Sequence, residues 1–252
     1  MGEMPVLEHV LRGIKKEHSK KAPPTKPRLP ITPHILLQLR EIWEKDAHDF
    51  NCIMLWAACC TCYFGFLRSG EICTPSDAAY DPTTHLSLSD IAVDSRTNTS
   101  SIAVRIKASK TDPFRQGVTI YLGATNSKVC PVKAMLAYIE VRGNDPGPLF
   151  LFSNKQVLSK ERFVDHIRSA LSRAGLKSDL YLGHWFRIGA ATVAHKKGLD
   201  DSTIMTLGQW KSNAYQHYIR IRREDLAKMS DRIASPTVTT RNRNFQPNLY
   251  TD

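Results

Sequence analysis

From Ile31 onward the apolar positions fall at helical intervals. Ile35, Leu36, Leu39 and Trp43 repeat every three or four residues behind Thr32-Pro33, a pair suited to capping and starting a helix. A second helix is predicted from about Phe50 to Leu67, where NCIMLWAACCTCYFGFL is apolar nearly all round and ends at Arg68-Ser69-Gly70-Glu71. Between about 86 and 123 the period drops to two, and LSLSDIAV, SIAVRIK and GVTIYL read as short strands of one antiparallel sheet. The last two strands are separated by ASKTDPFRQ, a hairpin-like excursion at Lys110. Helical spacing then returns in PVKAMLAYIEVR up to Gly143, in LSKERFVDHIRSALSRAG up to Gly175, and in HWFRIGAATVAHKKG up to Gly198. Each glycine stands where a helix C-terminus accommodates one. Shorter helical pieces are predicted at about Ser202 to Leu207 and Ser212 to Arg223. The fold class that follows is α+β, mainly α-helical, with one small antiparallel sheet and no internal repeat.

Upstream of Ile31 the pattern differs. PVLEHVLRGIKKEH can form a short helix, but SKKAPPTKPRLP has almost nothing to bury and reads as a basic Pro/Lys-rich linker. The division expected is a linker and helix remnant over 1–30, a compact domain over 31–230 and a polar tail over 231–252. A linker joins two things, so the chain is expected to be the downstream part of something longer.

Charge changes the picture more than bulk composition does. The 35 Lys+Arg against 24 Asp+Glu give a net charge of +11, which favours an anionic polymer, nucleic acid first, as partner. No apolar run approaches the roughly 20 residues needed to cross a bilayer, and no secretory signal follows Met1. The expectation is a soluble, intracellular protein without a membrane partner, nuclear if the host is eukaryotic. Of six cysteines, Cys59 and Cys62 have the spacing of half a zinc site, but no second half-site follows. Buried thiols on an apolar helix are the plainer reading.

Three clusters at element ends carry candidate chemistry. Arg68 follows an apolar helix, where a charged side chain must reach solvent or an anion, and Glu71 could orient its guanidinium from behind. His184 and Arg187, three apart, share a helix face near an N-terminus, whose free N–H groups favour phosphate, and Gly189-Ala190-Ala191 permits close packing behind them. Gly208-Gln209-Trp210 precedes Tyr215 and Tyr218, again three apart. A tyrosine hydroxyl titrates near 10, so as a nucleophile it needs cations around it. Taken singly, each cluster also fits an ordinary structural role.

In order, FLRSGE, ASKTDPFRQG, GHWFRIGAAT and LGQWKSNAYQHYIR resemble the Arg, Lys, His-x-x-Arg, His/Trp, Tyr series of the tyrosine recombinases, the class of phage integrases, Cre and the Xer proteins. The flavour is closest to recombinases of DIRS/Ngaro-like retroelements and Cryptons, and the similarity spans about residues 30 to 225. The resemblance implies the recombinase catalytic-domain fold and a role for each matched position. Arg68 and Arg187 would hold the non-bridging oxygens of the scissile phosphate with His184 as a third donor. Lys110 would protonate the departing 5′ oxygen, with Lys107 as the alternative. Trp210 would buttress the phosphate, Glu71 would support the first arginine, and Tyr218 would attack, with Tyr215 as the alternative. Duplex DNA is the implied substrate, bound by a tetramer on two sites, with no cofactor or metal. Guanidinium groups can carry transition-state charge without a metal, and neither a phosphate-binding glycine loop nor a nuclease-type carboxylate cluster is present in the sequence.

The sequence departs from that pattern in three ways. Trp185 stands where the look-alikes often have a small residue, and Gln209 stands where a basic one is common. The N-terminal clamp domain that such recombinases carry is expected to be missing. Two further readings stay open: a domesticated or truncated DNA-binding protein that has lost recombination, and a type IB topoisomerase.

Overall fold

The structure, a computed structural model, describes residues 29–45, 49–76, 78–95, 98–109, 112, 114–181, 184–210, 212, 216 and 219. The first helix, α1 (Pro33–Glu44), is capped by the Thr32 hydroxyl, which accepts from the Ile35 N–H, and starts on Pro33. Ile35, Leu36, Leu39 and Trp43 form its buried stripe, as their spacing predicts. Helix α2 (Phe50–Phe64) is capped by Asp49 and ends sooner than expected, because Gly65 and Phe66 turn the chain out of the helix. A Cβ on Gly65 would lie 2.6 Å from Ile120 and 2.8 Å from the Thr61 carbonyl, so only glycine fits this exit.

Helix α2 is the centre of the core. Every residue from Ala57 to Tyr63 is buried, consistent with a helix apolar all round, and α1, α4 and α6 pack about it. Cys59, Cys60 and Cys62 are buried free thiols, and burial pushes each well above the ordinary thiol range. Among the described residues no group of His, Cys, Asp and Glu side chains is placed to hold a metal.

After the short helix α3 (Ser69–Ile72), LSLSDIAV forms a 3-10 turn at Leu88–Asp90 before strand β1 (Ile91–Val93). The turn replaces the first half of the predicted strand because the Asp90 carboxylate accepts from the Ser87 N–H, closing a capping box. Strands β2 (Ser101–Ile106) and β3 (Val118–Gly123) complete an antiparallel sheet in the order β1-β2-β3, with Ile106 opposite Val118 as the last pair before the excursion. Ile102, Val104, Ile106, Ile120 and Leu122 face the core, while Arg105 and Tyr121 face solvent.

Helices α4 (Pro131–Arg142) and α5 (Lys160–Arg173) follow, then α6 (Trp185–Lys196) and α7 (Asp201–Leu207). Gly143, Gly175 and Gly198 lie at positive φ at the predicted helix ends. Ahead of α1, Leu29 and Ile31 donate backbone hydrogen bonds to the carbonyls of Leu180 and Trp185, which ties the start of the domain to the start of α6. A Cβ on Gly189 would sit 1.7 Å from the Ile31 carbonyl oxygen, so this crossing requires glycine. No helix among the described residues is long and apolar enough to cross a membrane. The linker and helix remnant over 1–30, the helix expected from Ser212 to Arg223 and the tail over 231–252 lie wholly or almost wholly outside the described residues.

Candidate active site

Arg68 does not end α2. It stands at the N-terminus of α3, where Glu71 returns to it: the Glu71 carboxylate accepts from the Arg68 N–H at 2.7 Å and from Arg68 Nη1 at 3.2 Å. A capping box and an ion pair are therefore made by one carboxylate. The Glu71 side chain is only 5% exposed, and its other face lies 3.9 Å from Arg187 Nη1. One buried carboxylate thus balances two guanidinium groups that come from opposite halves of the sequence.

Helix α6 begins more deeply than its sequence implies. Trp185, Phe186 and Arg187 are all buried, and His184 does not share a helix face with Arg187 but precedes the helix as its N-terminal flanking residue. Arg187 is held from four sides. Nη1 donates to the Phe66 carbonyl at 2.7 Å, Nη2 donates to the Gly208 carbonyl at 2.5 Å, Glu71 lies beside it, and the Trp210 ring lies 4.2 Å from its Cζ. The indole also meets Phe66 edge-on. Two non-glycine residues with positive φ, Phe66 (φ 52) and Gln209 (φ 55), stand at the two loops that supply these carbonyls. Each such conformation costs roughly 1–3 kcal/mol, which the packing around the arginine offsets. Gly208 makes the indole position possible, since a Cβ there would fall 1.6 Å from the Trp210 ring.

Above this node lies a cleft of about 730 Å³ lined by Arg68, Glu71, His85, Ser109, Lys160 and His184, among others. Arg68 Nε is buried and has no hydrogen-bond partner among the described residues. Among the described residues the arrangement is cationic, with the Glu71 carboxylate already committed to both arginines, and it can receive a small anion such as a phosphate group.

The predicted residues divide accordingly. Arg68, Glu71 and Arg187 meet at one node, Trp210 stacks on it, and His184 shares the cleft with Arg68. Arg187 itself lies beneath the cleft, with 3% of its side chain exposed. Lys107 is bound elsewhere: its ammonium donates to Asp90 (2.6 Å), the Pro82 carbonyl (2.7 Å), Ser87 Oγ (2.9 Å) and the His85 carbonyl (3.2 Å). Lys110, Tyr215 and Tyr218 lie outside the described residues. Sequence reasoning missed Lys160, the first residue of α5, because nothing in its own neighbourhood marks it; only the fold brings it to the cleft with Arg68 and His184. Phe66 and Gly208 were missed as the carbonyl acceptors of the arginine cage, since backbone groups leave no trace in side-chain identity.

No family model matches the chain, and no curated protein matches it. Solved structures do. Over 85% of this chain and 66% of that one, the XerA recombinase superposes with a TM-score of 0.60 at 17% identity. The XerH site-specific recombinase bound to a palindromic difH substrate, in a post-cleavage complex, matches with a TM-score of 0.61 at 16% identity over 84% of this chain and 55% of that one. The fold is that of the tyrosine recombinase catalytic domain. A lambda integrase dimer bound to a core site has a TM-score of 0.54 at 17% identity, over 79% of this chain and 50% of that one. The chain spans between half and two-thirds of the length of these recombinases. The node of Arg68, Glu71 and Arg187 therefore sits within a recombinase-type catalytic fold.

Proposed function

We propose that this chain is the catalytic part of a tyrosine recombinase, which cuts and rejoins duplex DNA through a covalent 3′-phosphotyrosyl intermediate. The observation that carries the reading is the node itself. Within a recombinase-type fold, two arginines from distant segments meet on one buried carboxylate beneath a cationic cleft that also holds His184. In the reaction, the Tyr218 hydroxyl gives up its proton to solvent as its oxygen attacks the scissile phosphorus, and the bond from phosphorus to the 5′ oxygen breaks. Lys110 gives that oxygen its proton, so a free 5′-hydroxyl departs. Rejoining reverses the step with the 5′-hydroxyl of a partner strand, and no bond energy is lost between the two. Arg68, Arg187 and His184 stabilise the charge spread over the equatorial oxygens, while Trp210 holds the second arginine flat.

The substrate on this reading is duplex DNA held mainly through its backbone, in keeping with the net charge of +11. The assembly is a tetramer on two DNA sites, as in the solved lambda integrase tetramer on a Holliday junction. The source is a mobile element of the DIRS/Ngaro or Crypton kind, with the protein acting in the nucleus.

One observation favours a second reading, a DNA-binding protein that has lost recombination. Arg187 is buried and donates to two backbone carbonyls, so less of it is free for a phosphate. The two readings part on nicked duplex DNA carrying candidate target sequence. The recombinase reading expects a protein–DNA adduct that survives denaturation, lost in Tyr218→Phe and kept in Tyr215→Phe. Binding without an adduct supports the second reading.

A further inference from the structure

The excursion between β2 and β3 leaves the sheet at Ile106 and returns at Val118, and both sides of its mouth are fixed. On the return side, Gly117 has a φ of +69, its N–H donates to Asp112 Oδ2 at 2.8 Å, and a Cβ there would meet the Ile106 carbonyl at 2.8 Å. On the outgoing side the fixing group is Lys107. Its four acceptors outnumber the three hydrogens of an ammonium, and its side chain is only 17% exposed.

All four acceptors belong to the segment from Pro82 to Asp90, which is itself immobilised. Tyr80 Oη and Ser87 Oγ lie 2.9 Å apart, the Leu88 N–H donates to the Gly147 carbonyl, and the Leu149 N–H donates to the Leu86 carbonyl. Lys107 therefore fastens the first residue of the excursion to the segment between α3 and β1, which is itself tied to the connection between α4 and α5 at Gly147 and Leu149. The next two residues, Ala108 and Ser109, line the cleft that contains Arg68 and His184. A lysine used in this way is unsuited to proton donation, because every hydrogen is spent on a fixed acceptor.

We infer that Lys107 is a positioning residue: through Asp90 and Ser87 it aims the start of the β2–β3 excursion into the candidate active site, so that the excursion's other lysine delivers the leaving-group proton. This rests on the recombinase reading, in which Lys110 protonates the 5′ oxygen. Misplacing a catalytic group by about 1 Å costs on the order of 100-fold in rate, so loosening this anchor should be felt at the proton-transfer step.

The test compares two nicked duplexes, one with the ordinary 5′-bridging oxygen and one with sulfur in its place. A departing thiolate is a far weaker base than an alkoxide and leaves without a proton. Lys107→Met and Asp90→Asn should each slow adduct formation about 10- to 100-fold on the oxygen duplex. Both should return to near the wild-type rate on the sulfur duplex, with DNA affinity unchanged. Asp90→Asn keeps an acceptor for the Ser87 N–H, so the turn itself survives. Lys107→Met added to Lys110→Ala should cost nothing beyond Lys110→Ala alone.

A defect that persists on the sulfur duplex overturns the inference, because the damage is then not to proton delivery. A normal Asp90→Asn beside an inactive Lys107→Met also overturns it, because Lys107 would then act directly. Amide hydrogen exchange provides a readout that needs no activity: Lys107→Met should lower protection at Ile106 and Gly117. Should wild type form no adduct on any DNA, the recombinase reading fails on that ground, and unchanged protection at these two amides would separately dispose of the anchoring role.

Discussion

Removing Glu71 should damage both stability and chemistry, by amounts that its contacts set. The carboxylate is 5% exposed, caps α3 by accepting from the Arg68 N–H, pairs with Arg68 Nη1, and lies 3.9 Å from Arg187. Glu71→Ala leaves two largely buried guanidinium groups facing each other without their counter-charge. Breaking a buried pair from one side costs about 3–5 kcal/mol, and the 17% exposure of Arg68 places this case near the lower end. For a domain of this size each kcal/mol moves Tm by about 2–4 °C, so a fall of roughly 6–12 °C is expected. Glu71→Gln keeps an acceptor for the Arg68 N–H and loses only the charge assistance, about 1–2 kcal/mol. Its larger effect should be on rate: single-turnover adduct formation should drop about 10- to 100-fold, as when an orienting partner behind a binding group is removed. Calorimetry and a single-turnover adduct assay on both variants check this. A Glu71→Ala protein that melts within about 1 °C of wild type and forms adduct at the wild-type rate would refute the node as the organiser of the site.

Further consequences follow from other contacts. Gly189→Ala should destabilise by about 1–3 kcal/mol in denaturant titration, because its Cβ would sit 1.7 Å from the Ile31 carbonyl; helix propensity alone predicts a gain of about 1 kcal/mol, so the sign decides. Asp200 caps α7, and hydrogen bonds from the Ser202 and Thr203 side chains, then from the Thr203 N–H, hold its carboxyl below the usual range. A depressed carboxyl contributes fully above its unfolded value of about 3.9 and loses that contribution progressively as pH falls toward its folded value, so the stability gap between wild type and Asp200→Ala should be full at about pH 6 and narrow steadily on acidification below about pH 4. A gap unchanged with pH would contradict the assignment. Lys160 has no ion-pair partner among the described residues and lines the cleft, so Lys160→Ala should reduce the salt dependence of DNA binding by about 0.9 in log–log slope, and an unchanged slope would remove it from the DNA contact set.

The helices were legible in the sequence wherever one physical signal acted alone. The α1 stripe, its Thr32-Pro33 start and the glycine stops at 143, 175 and 198 depend on local spacing and backbone freedom, and all appear as predicted. The misreadings occur where one residue diverts the backbone from its regular pattern, by a side chain that competes for it or by having none. Asp90 turned half of a predicted strand into a 3-10 turn, and Gly65 cut α2 short. For the site, residue types at element ends pointed to Arg68, Glu71, His184, Arg187 and Trp210, and the fold brings these near one another. What could not be read was how they are supported. The Arg187 cage is built from carbonyls of Phe66 and Gly208, and Lys107 is held by acceptors that the distant segment from Pro82 to Asp90 offers it. Such long-range pairings follow from topology, which a single sequence expresses only through its resemblance to others.

The most direct test of the account is to trap the covalent complex on nicked duplex DNA, digest it, and locate the nucleotide-bearing peptide by mass spectrometry. The expected product is a phosphodiester to the hydroxyl of Tyr218, with the free 5′-hydroxyl on the released strand. Attachment at Tyr215, attachment through a 5′-phosphate, or binding of cognate DNA with no covalent product would contradict it.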